Sequence, residues 1–68
     1  MKFTTENTRI EGIQHVYLND KAYTIFKVYR QNLENSNAYY YDGTCTIKGH
    51  FMRKSTLIKK MNFNNNYF

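Results

Sequence analysis

Residues 10–28 read IEGIQHVYLNDKAYTIFKV, and this stretch decides the fold. It contains two segments rich in β-branched and aromatic residues, which favour strands over helices. The polar tripeptide at residues 19–21 separates the two segments and predicts a tight turn. We therefore predict a β-hairpin, with a first strand over residues 9–18 and a second strand over residues 22–30.

The hydrophobic alternation of the first strand changes phase partway along. Ile10, Val16 and Leu18 share one parity, whereas Ile13 has the other. Because successive side chains of a strand point to opposite faces, one extra residue at Gly12 would restore the phase. The sequence therefore predicts a β-bulge at Gly12, and a long first strand bent at a glycine is what a small barrel requires.

The second strand has apolar residues of both parities. Tyr23 and Ile25 lie on one face, and Phe26 and Val28 lie on the other. This pattern indicates either a strand that is covered on both faces or a strand with a bulge of its own.

A third strand is predicted over residues 39–51, after a loop at residues 31–38 in which Asn and Ser predominate. Asp42-Gly43 either forms a type I′ turn that splits this segment into two short strands or marks a bulge in a single strand. From Thr44 onward the alternation is regular. One face carries Cys45, Ile47 and Phe51, and the other carries Thr44, Thr46, Lys48 and His50.

The last third of the chain leaves two structures open. Residues 52–56 form a basic connector, and residues 57–63 form either a fourth strand or a short helix capped by Ser55 or Thr56. Helical spacing groups Leu57, Ile58 and Met61, whereas a strand would place Lys59 among the apolar residues. Residues 64–66 are predicted to be either a turn or a frayed stretch, and residues 67–68 are predicted to begin another strand.

A chain of 68 residues has room for one domain, which we place at residues 9–68 after a polar arm at residues 1–8 in which Phe3 docks. A domain this small buries only about 60% of its unfolded surface. Cys45 is the single cysteine, so no internal disulfide forms. His15 and His50 add two ligands without zinc-site spacing, so we predict no metal or other cofactor.

The sequence predicts no catalytic site and a cytoplasmic location. Cys45 and His50 have opposite parity on one strand, so a cysteine–histidine nucleophile is not expected. The five carboxylates lie mostly in predicted turns and loops, where they favour local backbone hydrogen bonds. The first six residues turn polar at once, and no apolar run approaches the roughly 20 residues of a membrane span. An unpaired cysteine agrees with the cytoplasm.

Several short motifs resemble the small N-terminal OB-like barrel of RecD-type DNA helicases. The first strand of that family begins I-x-G, as residues 10–12 do, and a short polar turn leads to a Y-T-V-x-x-V-like second strand, matched by residues 23–28. Residues 47–51 match its third strand, and residues 57–67 follow the outline of its fourth. The sequence departs from the family at residues 52–53, where a proline is usual, and at Met61 and Phe63, where glycine and tryptophan are favoured.

The resemblance implies an all-β, four- to five-stranded OB-like barrel, and the residues alone also allow an SH3-like one. The chain stops at Phe68, before a fifth strand. We therefore expect either a fragment of a larger helicase or a module whose missing edge is supplied by a protein partner or a second copy of the chain. ATPase chemistry is not expected, because Gly43 and Gly49 do not form a phosphate-binding Walker motif.

Basic and aromatic residues interleave from the second strand to the segment at residues 57–63, and the net charge is +5. Aromatic faces stack on bases and cations follow phosphates, so this pattern predicts a non-catalytic module that binds single-stranded DNA or RNA. The predicted binding residues are Lys27, Tyr29, Arg30, Tyr40, Lys48, His50, Arg53, Lys54, Lys59 and Lys60.

Residues 39–41 are three consecutive tyrosines, and alternation sends the middle ring to the face opposite its neighbours. At least one tyrosine is therefore expected to be exposed. The rival hypothesis is a protein-interaction module, such as a phage- or plasmid-encoded effector, that binds a host protein through an exposed strand edge and these tyrosines.

Overall fold

The structure, a computed structural model, describes residues 3–35 and 37–63. Its elements in chain order are strands β1 (Thr8–Leu18), β2 (Lys21–Gln31) and β3 (Tyr39–Lys48) and helix α1 (Lys54–Phe63). The strands form an antiparallel sheet in the order β1-β2-β3. The prediction of a mainly β fold is confirmed. Within the described residues the sheet is open and has three strands, so closure into a four- to five-stranded barrel is not shown.

The turn between β1 and β2 has two residues rather than the three predicted. Leu18 pairs with Lys21, and Asn19 and Asp20 have φ angles of 52° and 65°. Positive φ at both central positions defines a type I′ turn, whose twist matches that of the flanking strands. Asn and Asp tolerate this left-handed backbone better than other side chains do. The residues at the turn therefore suit the backbone that the hairpin requires.

The predicted bulge at Gly12 is confirmed. The register of β1 against β2 shifts between Glu11 and Gln14, and Gly12 has a φ of 62°. The extra residue brings Ile10 and Ile13 to the same side of the strand, where both pack against the core.

β3 is one continuous strand with a bulge, so the alternative of a hairpin turn at Asp42-Gly43 is wrong. Gly43 pairs with Val28 and Tyr41 pairs with Tyr29, which leaves Asp42 as the extra residue. The bulge reverses the parity of every residue before it relative to those after it.

The predicted end of the third strand at residue 51 is also wrong, because β3 ends at Lys48. Gly49 has a φ of 105°, which turns the chain away from the strand direction. The buried hydroxyl of Thr24 then donates to the Gly49 carbonyl at 2.6 Å and accepts from the Phe51 N–H at 3.1 Å. These bonds hold residues 49–51 across the end of β2.

Residues 57–63 lie within helix α1, which settles the choice between strand and helix. Leu57, Ile58 and Met61 are buried, as the helical spacing predicts. The predicted cap at Ser55 or Thr56 is wrong, because α1 begins at Lys54 and the Leu57 N–H donates to the Arg53 carbonyl at 3.1 Å.

The core lies between α1 and one face of the sheet. β2 contributes Phe26 and Val28, β3 contributes Cys45 and Ile47, and Phe3 is buried with them, as predicted. The Phe3 N–H donates to Asn62 Oδ1 at 2.9 Å, and Asn62 Nδ2 donates back to the Phe3 carbonyl at 2.7 Å. The N-terminal segment is thereby tied to α1. The turn predicted at residues 64–66 and the strand start at residues 67–68 lie outside the described residues.

Candidate nucleic-acid interface

The face of the sheet opposite α1, which we call the outer face, follows from the strand register. Partners in neighbouring antiparallel strands point to the same side, and alternate residues of β2 point to opposite sides. Phe26 and Val28 point to the core, so Lys27 and Tyr29 point outward. The aromatic and basic residues placed on the outer face are Arg9, Lys21, Tyr23, Lys27, Tyr29, Tyr39, Tyr41 and Lys48.

Contacts between rings and cations order this face. The rings of Tyr29 and Tyr41 meet edge to face, with centroids 5.6 Å apart, and the Tyr41 hydroxyl shares a 2.6 Å hydrogen bond with Thr44 Oγ1. The Arg9 guanidinium stands 4.7 Å from the centre of the Tyr39 ring. Tyr41 is 55% exposed, so its ring is both oriented and accessible.

Among the residues that the structure describes, no carboxylate forms an ion pair with a lysine of the outer face. Glu11 pairs in register with Lys27, but no ion pair between described residues involves a lysine. The observed ion pair joins Arg30 Nε to Asp42 Oδ2 at 2.9 Å. The ammonium groups therefore remain able to contact an anion.

The predicted binding residues do not form one surface. Lys27, Tyr29 and Lys48 share the outer face, whereas Arg30 and Tyr40 pair with each other on the side of the core. Arg30 is further engaged there, because its guanidinium lies 4.1 Å from the centre of the Phe3 ring.

His50 lies outside β3, so the prediction that it shares the solvent face of that strand with Lys48 is wrong. Its Nε2 donates to the Val16 carbonyl at 3.2 Å, and its ring centre lies 4.8 Å from that of His15 and 4.9 Å from that of Tyr17. His15 Nε2 donates in turn to the Phe51 carbonyl at 2.9 Å. The two histidines connect β1 to the segment after β3.

The basic residues around α1 divide into two groups. Arg53 and Lys54 lie at its start, where Lys54 Nζ donates to the Thr5 carbonyl at 3.1 Å. Lys59 and Lys60, further along, line a groove of about 600 Å³ between α1 and the end of β3. The residues that line this groove are Ile47, Lys48, Thr56, Lys59, Lys60 and Phe63.

Two exposed aromatic residues in these surfaces, Tyr41 and Phe63, were not among the predicted binding residues. The predicted set contains Tyr40 rather than Tyr41, although the bulge puts Tyr41, not Tyr40, beside Tyr29. Phe63 is 92% exposed at the edge of the groove. Treating Asp42-Gly43 as a bulge, one of the two alternatives in the sequence, would have selected Tyr41.

Of the residues considered as nucleophiles or metal ligands, His15 and His50 lie close together, whereas Cys45 is buried in the core. Burial raises the pKa of the Cys45 thiol to about 11, so at neutral pH it is protonated and a poor nucleophile. Within residues 3–35 and 37–63, no three His, Cys, Asp or Glu side chains are grouped closely enough to hold a metal ion. In the same residues no helix is both long and apolar enough to cross a membrane.

Comparisons with protein-family models, with curated proteins and with solved structures find no match.

Proposed function

We propose that this chain is a non-catalytic cytoplasmic module that binds single-stranded nucleic acid on the outer face of its sheet. The observation that carries the proposal is the placement of Tyr29 and Tyr41 on one face, which also carries Lys27, two residues from Tyr29, and Lys48 at its far end. Single strands bind where aromatic rings stack on bases and cations follow the backbone.

The geometry favours single strands over duplexes. The bases of a duplex are stacked on one another, so a flat aromatic surface contacts them only when they are unpaired. The outer face has the Tyr29–Tyr41 pair near one end and Lys48 at the other, beside Tyr23 in register. Stacking near one end and phosphate contact at the other would orient a strand along the face.

The proposal narrows the predicted set of binding residues. Arg30 is engaged with Asp42 and Phe3, and Tyr40 and His50 lie away from the outer face. Arg53 and Lys54 are left out because they lie at the start of α1 and not on a strand of the outer face. Lys27, Tyr29 and Lys48 are retained, and Tyr41 is added.

We also propose that the three-stranded sheet is part of an OB-like or SH3-like barrel. Three antiparallel strands, with β1 bent at Gly12, agree with the first part of an OB-like barrel such as that of the RecD-type helicases, or of an SH3-like one. Further strands would pair with the edges of β1 and β3. Residues 14–18 and 44–48, which the bulges leave regular, are the segments suited to that pairing.

A protein partner or a second copy of the chain is the second candidate, and the open edges of β1 and β3 favour it. A bulge interrupts each of these edges, and bulges are among the features that protect edge strands from pairing. For this reason we place nucleic-acid binding first.

Fluorescence anisotropy with a labelled oligothymidylate, at about 50 mM and about 200 mM salt, tests the proposal. Tyr41→Ala removes a stacking ring, and we expect affinity to fall by about 5- to 150-fold, the equivalent of about 1–3 kcal/mol per stacked base. Tyr40→Ala is the matched control. It removes the same side chain from the neighbouring residue, which is 49% exposed on the other side of the sheet, and we expect at most about a twofold change.

Equal losses in the two variants would contradict use of the outer face. Absence of binding at the lower salt concentration would contradict nucleic-acid binding altogether. Binding to a protein by strand addition would instead be insensitive to salt, because it depends on backbone hydrogen bonds rather than on counterion release.

A further inference from the structure

The groove between α1 and β3 meets the outer face at Lys48. The register places Lys48 on the outer face beside Tyr23, and Lys48 also lines the groove with Lys59 and Lys60. β3 is an edge of the described sheet. A chain bound across the outer face can therefore turn over this edge and enter the groove.

The groove has the chemistry of a phosphate site. Three lysines line it together with Thr56, and no acidic residue does so among the described residues. Lys60 Nζ lies 4.7 Å from the centre of the Phe51 ring, a cation–π contact that helps to hold the charge in place. Where the three lysines neutralise phosphates of a bound polyanion, the cations condensed on those phosphates are released.

The groove also has a surface for a base. Phe63, the last residue of α1, is 92% exposed and lies beside the lysines. An exposed ring next to cations is the combination that binds single strands without sequence preference.

We propose that a single strand bound on the outer face continues over the edge of β3 into the groove. Its phosphates contact Lys59 and Lys60, and one base stacks on Phe63. This inference rests on the function proposed above and adds that the surface occupied depends on the length of the bound strand. A short strand occupies the outer face alone, whereas a longer strand also occupies the groove.

The test compares labelled oligothymidylates of about 4 and about 12 nucleotides, within the range of about 4–16 that OB folds cover. Each phosphate contact adds about 0.7 to the slope of log affinity against log salt for single strands. Lys59→Gln with Lys60→Gln should therefore lower that slope by about 1.4 for the longer strand. The slope for the shorter strand should not change.

Arg53→Gln with Lys54→Gln is the matched control, since it removes the same charge from the start of the same helix. Neither residue lines the groove, so we expect the slope for the longer strand to fall by less than about 0.7. Phe63→Ala should weaken the longer strand by about 5- to 150-fold, and Phe63→Tyr should restore the affinity. The exposure of Phe63 makes a folding defect unexpected, and circular dichroism of each variant checks this point.

The outcomes separate the two proposals. If neither oligonucleotide binds the native chain, both proposals are overturned. If the shorter strand binds but the two double variants affect the longer strand equally, the path into the groove is overturned while binding on the outer face stands. A loss of affinity for the shorter strand in the Lys59→Gln, Lys60→Gln variant would also overturn the path, because the groove would then belong to the primary site.

Discussion

The two faces of the sheet are built from alternate residues of the same strands. Helix α1 covers the inner face, whereas no described helix or strand covers the outer face. Phe26 and Val28 are fully buried on the inner face, while Lys27 between them is exposed. Tyr23, Ile25 and Tyr29 on the outer face are half-buried. One face therefore forms the core, and the other keeps aromatic area accessible.

The difference follows from how little apolar material a chain of 68 residues has. A domain this small buries a modest fraction of its surface, so one apolar layer is what it can form. Tyrosine suits the other layer, because its ring packs on neighbours while its hydroxyl stays in water. The outer face is consequently ordered without being covered, as the Tyr29–Tyr41 contact illustrates.

The largest predicted effect compares neighbouring residues of β2 on the two faces. Phe26→Ala would leave a cavity in the core, and we expect it to lower the free energy of unfolding by about 3–5 kcal/mol. Ile25→Ala, on the half-buried outer face, should cost about 1 kcal/mol. Urea denaturation followed by circular dichroism measures both. Equal losses would mean that the outer face is part of a second core, as in a closed barrel.

The sequence predicted most of the sheet, because its signals are local. Alternation, β-branched residues and the polar turn identified the hairpin, and the phase change at Ile13 identified the bulge at Gly12. The core side of β3 was also predicted, since Cys45 and Ile47 alternate regularly with exposed residues. These features depend on neighbours within a few residues.

The features that the sequence left open or misassigned depend on contacts between distant residues. Residues 57–63 pack as a helix against the core, which periodicity over seven residues could not establish. His50 leaves β3 because the chain turns at Gly49 and bonds to Thr24. The observed interface differs from the predicted one for a similar reason. The pairing of β3 with β2 places a bulge at Asp42, and this bulge decides whether Tyr40 or Tyr41 lies beside Tyr29.

The next effect concerns the dependence of stability on pH, which the buried thiol of Cys45 on the inner face introduces. Burial raises its pKa from about 9 to about 11 in the folded chain, so the folded chain holds this proton more tightly than the unfolded chain does. The thiol therefore leaves the free energy of unfolding unchanged below pH 9 and lowers it as the pH rises from 9 to about 11. Two pH units correspond to at most about 2–3 kcal/mol.

Cys45→Ala isolates the contribution of the thiol from those of all other side chains. The difference in unfolding free energy between the native chain and the variant, measured by urea denaturation at several pH values, should be constant up to pH 9 and then shrink. A difference that stays constant to pH 11 would show that the thiol is hydrated, and that the inner face is less tightly packed than its burial indicates.

The smallest effect compares two threonines on opposite faces. Thr24→Val keeps the shape of a buried side chain but removes the hydroxyl that bonds to Gly49 and Phe51. Because each of the two hydrogen bonds contributes about 0.5–1.5 kcal/mol, we expect the free energy of unfolding to fall by about 1–3 kcal/mol. Thr46→Val makes the same substitution at an exposed position of the outer face, where valine suits a strand equally well. We therefore expect the free energy of unfolding to change by no more than about 0.5 kcal/mol. Urea denaturation compares the two variants, and hydrogen exchange at the Phe51 amide locates the loss. If Thr24→Val is no more damaging than Thr46→Val, the hydroxyl does not hold residues 49–51 across β2. The segment would then be held by the backbone bond from the Gly49 N–H to the Ala22 carbonyl and by the His15–Phe51 and His50–Val16 bonds.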